Sequence, residues 1–147
     1  MYGDTGVMRR RATQLREQGD DIRLRADGLV AQMDAIAWTG RAADAMRERI
    51  RERASHLRDV AGRHETAAQS LEHHLQAVES LKDQIATVQR RAETLSSDAQ
   101  GRLGQMASYD DPDGVRREPT DEDRVLAAFS PPPSGHQDWL AVELPGL

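Results

Sequence analysis

The sequence predicts an all-α protein: an antiparallel helical hairpin with coiled-coil packing, an elongated second helix and an irregular C-terminal tail. Apolar residues from Met8 to Ile36 recur at alternating spacings of four and three, the heptad pattern of one helix seam. A second apolar series follows: Met46, Ile50, Leu57, Val60, Ala67 and Leu71, continuing to Leu103. Only 3% of the residues are aromatic, so the core must consist of aliphatic side chains and Met, which favours helix packing over a strand sandwich.

The first helix is predicted over residues 5–36. Asp4 or Thr5 can cap it by offering a side-chain oxygen to the free N–H groups of the first turn. Gly19 and Gly28 each lower helix stability by about 1 kcal/mol relative to Ala. We therefore expect this helix to need its partner.

The heptad pattern stops at Ala37-Trp38-Thr39-Gly40 and starts again at Arg41, which predicts a short turn between antiparallel helices. Gly40 leaves space for the backbone to reverse, and Thr39 can cap the second helix. Trp38 is a rigid aromatic side chain that can close this end of the hairpin. The sequence leaves open whether it only fills the bend or is also presented to a partner.

The second helix is predicted over residues 41–106. At roughly 1.5 Å per residue its length would be about 99 Å, whereas the first helix would be about 48 Å long. Half of the second helix has no partner within the hairpin, so either Gly62 breaks it and a third helix folds back, or another chain covers it. The three-residue steps at Leu75-Val78-Leu81 indicate a stammer. The predicted helix-packing interface comprises Leu71, Leu75, Val78, Leu81, Ile85, Val88 and Leu95.

Residues 1–107 are thus predicted to form the hairpin, and residues 108–147 an acidic, Pro-containing tail with one short helix. That helix is expected between residues 120 and 129, with Thr120 as N-cap and three acidic residues in its first turn. The final segment contains Trp139 and several aliphatic residues, too apolar for an inert tail. We expect it to dock on this chain or on another.

The sequence contains no recognisable catalytic or metal-binding constellation. His64-Glu65-Thr66-Ala67-Ala68 has the first half of a zinc-protease motif but lacks its second His. His73 and His74 are adjacent, so they cannot share a metal from one helix face. With no Cys there is no thiolate nucleophile or thiol ligand. We expect no enzymatic activity, no cofactor and no metal; an enzyme would need a pocket between the tail and the helices.

Charge and hydropathy argue against two classes of partner. The net charge is −5, and the positive charges of the arginines at 9–11 and 47–53 are cancelled by nearby acidic residues, so no basic face for nucleic acid is expected. Those acidic residues are Glu17, Asp20, Asp21, Glu48 and Glu52. No apolar run approaches the roughly 20 residues of a membrane span, and the N-terminal region lacks the apolar stretch of a Sec signal peptide. We expect no membrane insertion, and any export by a Sec-independent route.

The stretch Trp38-Thr39-Gly40-Arg41-Ala42-Ala43-Asp44-Ala45-Met46, set between two heptad arms, resembles the turn of the WXG (ESAT-like) family of helical-hairpin proteins. The resemblance covers roughly residues 5–105, and members of that family are substrates and partners of type VII secretion systems. Tyr109-Asp110-Asp111-Pro112-Asp113 is similar to the family's Tyr-x-x-x-Asp/Glu export signal. Pro112 would interrupt a helical presentation of Tyr109 and Asp113, and a plain helix-terminating turn is the alternative.

The long second arm is also similar to the N-terminal secretion-signal domains of actinobacterial polymorphic toxins. In those proteins a WXG hairpin precedes a Pro-rich linker and an enzymatic part. The present sequence ends after a linker-like segment, so we expect no toxin domain in it.

These resemblances imply a non-enzymatic, type VII secretion-associated protein, either an exported substrate or an adaptor, cytoplasmic before export and then secreted or at the cell surface. The implied partners are a second copy in a homodimer or a WXG-like heterodimer partner, and the secretion ATPase, to which Trp38, Tyr109 and Asp113 would be presented. The alternative is a cytoplasmic coiled-coil scaffold or chaperone. Replacing Trp38 and Tyr109 separates the two hypotheses, because only the first predicts retention inside the cell.

Overall fold

A computed structural model describes residues 4–108 and 117–147. Its elements in chain order are α1 (Thr5–Ala35), α2 (Arg41–Ser108), α3 (Asp121–Ala127) and a 3₁₀ helix (Gln137–Ala141). The described residues form no strand. The predicted all-α hairpin with an elongated second helix and a C-terminal tail is therefore confirmed. Contacts divide the chain into two compact units, one ending at Glu79 and the other beginning at Ser80.

The helix α1 begins with a capped first turn. Asp4 is its N-cap, and the Oδ1 atom accepts hydrogen bonds from the backbone N–H of Gly6 at 2.9 Å and of Val7 at 3.2 Å. Of the two predicted caps, Asp4 is the one used. The helix ends at Ala35, one residue before the predicted end, because Ile36 is already extended.

In the first unit, α1 packs on the N-terminal half of α2 along a seam of mostly small residues. Its buried members are Ala12, Gly19, Ala26 and Met33 on α1, and Ala43, Ala54, Ala61, Ala68 and Leu75 on α2. A Cβ atom added to Gly19 would lie only 3.2 Å from the carbonyl oxygen of Ala61, so the two backbones approach closely there. The small residues are what allow this approach.

Three members of the predicted apolar series in the hairpin part of α2, namely Met46, Val60 and Ala67, are exposed and not in this seam. Val60 is 38% exposed and Ala67 is exposed, whereas Ala61 and Ala68, one position further along, are completely buried. At Val60 the prediction followed the larger apolar residue, whereas Ala67 and Ala68 are identical and the prediction placed the seam one position too early. At such short range the central positions take alanine, and larger side chains such as Leu57 flank them half-buried.

Ion pairs between the helices are consistent with one antiparallel register. The pairs that join α1 to α2 are Arg9–Glu79, Arg16–Glu72, Arg16–Glu65 and Asp27–Arg58. Arg16 binds both carboxylate oxygens of Glu72, with Nη2 at 2.7 Å from Oε2, and its Nε lies 3.4 Å from Glu65. These groups are largely exposed, so each pair contributes little to stability and chiefly favours one alignment over its neighbours.

The second unit contains residues 80–108 of α2 and the tail. Gly62 does not break α2, which is one continuous helix from Arg41 to Ser108. Buried Ile85, Ala92 and Ala99 continue the seven-residue repeat, and the step from Leu75 to Ile85 is ten residues (85 − 75), a heptad plus three. This irregular step includes the predicted stammer.

The helix α3 has the predicted cap. Thr120 is the N-cap, and its Oγ1 accepts a hydrogen bond of 3.1 Å from the backbone N–H of Asp123. Three acidic residues occupy the first turn, as predicted, where they favour the positive end of the helix. The helix stops at Ala127, before the predicted end, and Leu126 is its buried apolar residue.

The close contact at Gly19 can be tested with a matched pair of glycine substitutions on α1. Gly28→Ala should raise the free energy of unfolding by about 0.5–1 kcal/mol, because alanine favours the helix and nothing lies within 4 Å of the added Cβ. Gly19→Ala should give no gain or a loss, because the added Cβ presses on the Ala61 carbonyl and the helices must separate. Urea denaturation followed by circular dichroism measures both. Equal gains for the two variants would contradict the close approach.

Candidate functional site

The turn at residues 36–40 leaves Trp38 half-exposed, with 51% of its surface accessible. Gly40 has a φ of +108°, a conformation that favours glycine. Its carbonyl oxygen accepts the first hydrogen bond of α2, from the N–H of Asp44 at 3.1 Å. The helix α2 begins at Arg41, so Gly40 is the residue immediately before it. The sequence had suggested Thr39 as the N-cap of this helix.

Arg47 ties the turn to the first turns of α2. Its Nη2 donates to the Trp38 carbonyl oxygen, and its Nη1 lies 3.2 Å from Oδ1 of Asp44. This contact fixes the backbone of the turn while the indole stays accessible. No local sequence pattern indicated this contact, because Arg47 lies among arginines interpreted as solvated helix faces. Ile36 and Met46, on either side of the turn in sequence, are 57% and 49% exposed.

The structure divides the predicted helix-packing residues between the two units. Leu71, Leu75 and Val78 belong to the hairpin unit, whereas Leu81, Ile85, Val88 and Leu95 belong to the second unit. Leu75 and Ile85 are buried, and Leu81 is 45% exposed. The others are half-buried. The seam that the hairpin leaves without a partner is therefore covered by the tail of the same chain.

Trp139 anchors the tail on α2 and is the largest fully buried side chain of the described residues, at 1% exposure. It forms a cluster with Ile85 and Ala92, against which Val88, Phe129, Val142 and Leu144 pack. The Trp139 and Phe129 rings meet edge to face, with centroids 6.0 Å apart. The indole Nε1–H donates to the carbonyl oxygen of Pro133 at 3.0 Å, so its polar atom is satisfied.

Polar side chains of α2 hold the backbone of the irregular tail. Gln89 accepts a hydrogen bond from the N–H of Gly135 at 3.1 Å, at a turn where that glycine has a φ of +72°. Arg91 donates from Nε and Nη2 to the carbonyl oxygen of Gly146, at 2.9 and 2.6 Å. These bonds satisfy backbone groups that no regular secondary structure pairs.

Asp123 makes the one ion pair between the tail and α2 in the described part of the second unit. Arg102 donates from Nε and Nη2 to Oδ1 of Asp123, at 2.9 and 2.6 Å. These hydrogen bonds lower the pKa of the Asp123 carboxyl, with a smaller contribution from the Thr120 hydroxyl, while burial opposes them. The sequence placed Asp123 only at the positive end of a helix, because its partner lies 21 residues away.

Tyr109, Pro112 and Asp113, the predicted export signal, lie outside the described residues. Among the described residues, no three His, Asp or Glu side chains are placed to hold a metal ion. Nor is any described helix long and apolar enough to cross a bilayer. A shallow cleft of about 210 Å³ does lie beside the tail, and its lining residues are Glu93, Ser96, Ser97, Gln100, Phe129 and Pro131. The residues that line this cleft include one carboxylate, that of Glu93, and no histidine.

Comparison with known families assigns this helical architecture to a class. Residues 1–127 match the family model described as "Putative T7SS secretion signal domain". The match covers most of the chain, through the end of α3, and the chain therefore belongs to this family. No curated protein and no solved structure gave a significant match.

The family assignment confirms the resemblance to type VII secretion-related helical proteins. The protein is type VII secretion-associated, and its signal domain indicates export by the type VII route. Trp139 lies beyond the matched residues, whereas Trp38 lies within them.

The Arg102–Asp123 pair should make tail docking sensitive to acid. Because the pKa of Asp123 is lowered in the folded protein, the pair stabilises docking fully above the ordinary carboxyl pKa of about 3.9. This contribution is lost as the pH falls through the lowered value. In a Trp38→Phe background, emission from Trp139 should shift to longer wavelength over that range.

The matched control for this titration is Asp123→Asn in the same Trp38→Phe background. It lacks the carboxylate, so its tail should already be more loosely docked at pH 6, and its acid response should be smaller. Identical titrations of the two proteins would contradict a role for the ion pair in docking.

Proposed function

We propose that this protein is a non-enzymatic type VII export substrate, or an adaptor that pairs with one, and that it presents the Trp38 turn to the secretion ATPase. The observation that supports this most directly is the half-exposed indole on a rigid turn, within the region that matches the secretion signal domain. The protein would be cytoplasmic before export and then secreted or at the cell surface, by a Sec-independent route.

The contrast between the two tryptophans favours recognition over simple filling of the bend. Trp139 shows how this chain buries an indole, with 1% exposure and a satisfied Nε1, whereas Trp38 keeps 51% of its surface accessible. With exposed Ile36 and Met46 it gives this end of the hairpin three large accessible apolar side chains. Accessible aromatic side chains on a rigid backbone are typical energetic centres of protein interfaces.

Two further elements complete the proposal. Tyr109 and Asp113 are proposed to form the second part of the export signal. Association with another helical protein, either a second copy or a WXG-like heterodimer partner, is proposed to proceed by helix packing. The competing hypothesis, a cytoplasmic scaffold or chaperone, makes no use of Trp38 outside the fold.

Trp38→Ala should reduce export without unfolding the protein. Truncation of an interface tryptophan commonly costs about 2 kcal/mol or more, so we expect the ratio of tagged protein in the culture filtrate to that in the cell to fall by about tenfold or more. The helical circular dichroism signal should be unchanged, because the indole contributes little to the core. A host strain with an inactive secretion ATPase gives the baseline.

Leu24→Ala is the matched control, because it removes an apolar side chain that is 69% exposed on α1, away from the turn in sequence. It should be exported at the wild-type level. If Trp38→Ala and Tyr109→Ala are both exported normally, or if the wild-type protein stays in the cell despite an active ATPase, the export proposal is wrong and the scaffold hypothesis is favoured.

A further inference from the structure

Arg47 is the most enclosed of the arginines that form ion pairs in the described part of the chain. Its side chain is 27% exposed, whereas the side chain of every other ion-paired arginine is at least 43% exposed. Its carboxylate partner, Asp44, is 76% exposed. A pair with so exposed a carboxylate, three residues away on the same helix, contributes little to stability. The placement of Arg47 therefore calls for a reason beyond this pair.

The second contact of Arg47 lies in the turn itself. Residues 36–40 belong to neither helix, since α1 ends at Ala35 and α2 begins at Arg41. Among the described residues, the bond from Nη2 of Arg47 to the Trp38 carbonyl oxygen is the one hydrogen bond between a side chain and the main chain of this turn. The donor is a charged guanidinium, and such bonds are stronger than those between neutral groups. One side chain thus holds the middle of the turn.

The guanidinium is itself held in place by its neighbours. Its Nη1 lies 3.2 Å from Oδ1 of Asp44, and the backbone N–H of Asp44 donates to the Gly40 carbonyl oxygen at 3.1 Å. These contacts close a ring through Trp38, Arg47, Asp44 and Gly40. Because the bond is made to the carbonyl oxygen, it restrains the peptide group between Trp38 and Thr39 while the indole stays 51% exposed.

A restrained main chain favours recognition because binding has to order whatever is mobile beforehand. Fixing the backbone of a residue is entropically unfavourable, and a group that is already ordered in the free protein avoids that cost when it binds. Without the bond from Arg47, the peptide group after Trp38 would have water as its partner and would be free to rotate. The apparent affinity for a partner falls in proportion to the fraction of molecules in the binding-competent conformation.

We propose that Arg47 is a positioning residue of the export signal, and that it acts through the main chain of Trp38 rather than by contact with the secretion machinery. This inference rests on the proposed function, because it takes Trp38 as the recognised side chain. It adds to the signal a residue outside the turn. The partner binds the indole, and Arg47 determines how large a fraction of the molecules presents it correctly.

Arg47→Met should lower export roughly three- to tenfold, measured as the ratio of tagged protein in the culture filtrate to that in the cell. Methionine resembles arginine in helix propensity but donates no hydrogen bond. Arg49→Met is the matched control, because it removes the same charge from an exposed position on the same helix. It should be exported at the wild-type level, and both variants should keep the helical circular dichroism signal.

Backbone order in the turn provides a second measurement that does not depend on secretion. Amide nitrogen relaxation should give Thr39 an order parameter of about 0.85 in the wild type and in Arg49→Met, and below about 0.6 in Arg47→Met. Arg47→Lys keeps the charge and a donor but not the planar fork. It should retain export in the same proportion as it retains order at Thr39.

The inference is overturned if Arg47→Met leaves the order parameter of Thr39 unchanged, because any loss of export would then reflect direct contact of Arg47 with the machinery. It is equally overturned if this variant loosens Thr39 but is exported normally, or if Arg47→Lys restores export without restoring order. If Arg47→Met loses its helical signal, Arg47→Gln, with a shorter polar side chain, is judged by the same two measurements.

Trp38→Ala, measured alongside, separates this inference from the proposed function. If Trp38→Ala lowers export while Arg47→Met does not, the proposed function stands and Arg47 has no part in it. If Trp38→Ala is exported normally, recognition of Trp38 is itself wrong, whatever the order parameter of Thr39.

Discussion

Where α1 and α2 pack together, the distance between their backbones is set by residues with almost no side chain. Gly19 lies against the Ala61 carbonyl oxygen, and the neighbouring heptad positions are mostly alanine. Of the thirteen buried hydrophobic residues in the described part of the chain, eight are alanine. Apart from Met33 and Leu75 at its ends, the larger apolar residues lie at the flanks of the seam, and the ion pairs that span it acquire their alignment from it. A wider spacing at Gly19 would alter all of these contacts together.

The two tryptophans occupy two different environments in one molecule. Trp139 packs against aliphatic residues of α2 and satisfies its N–H within the tail, so its contribution is to cohesion. Trp38 has its backbone held by Arg47 and by the conformation of Gly40, while half of its indole faces solvent. In the proposed function, a main chain held by hydrogen bonds together with an accessible ring would suit Trp38 to recognition rather than to a core position.

The sequence was sufficient to predict the elements that depend on local pattern: the two long helices, the turn at Trp38-Thr39-Gly40, an N-cap at Asp4 or Thr5 and the short helix capped by Thr120. It was not sufficient for features that depend on contacts distant in sequence. The seam could not be assigned by hydrophobicity alone, because Ala61 is completely buried while the larger Val60 beside it is not. The apolar residues of the tail predicted that it docks on this chain or on another, but nothing local indicated that it would dock on α2, nor that Arg102 would pair with Asp123.

A core built largely from alanine also has a thermal consequence. The heat-capacity change of unfolding rises with the apolar area that unfolding exposes, and an alanine methyl group contributes far less area than a leucine side chain. The hairpin unit, with its seam centred on Ala12, Ala26, Ala54, Ala61 and Ala68, exposes little such area for its length. We therefore expect its free energy of unfolding to vary less steeply with temperature, on cooling and on warming alike, than that of a leucine-centred hairpin of the same length.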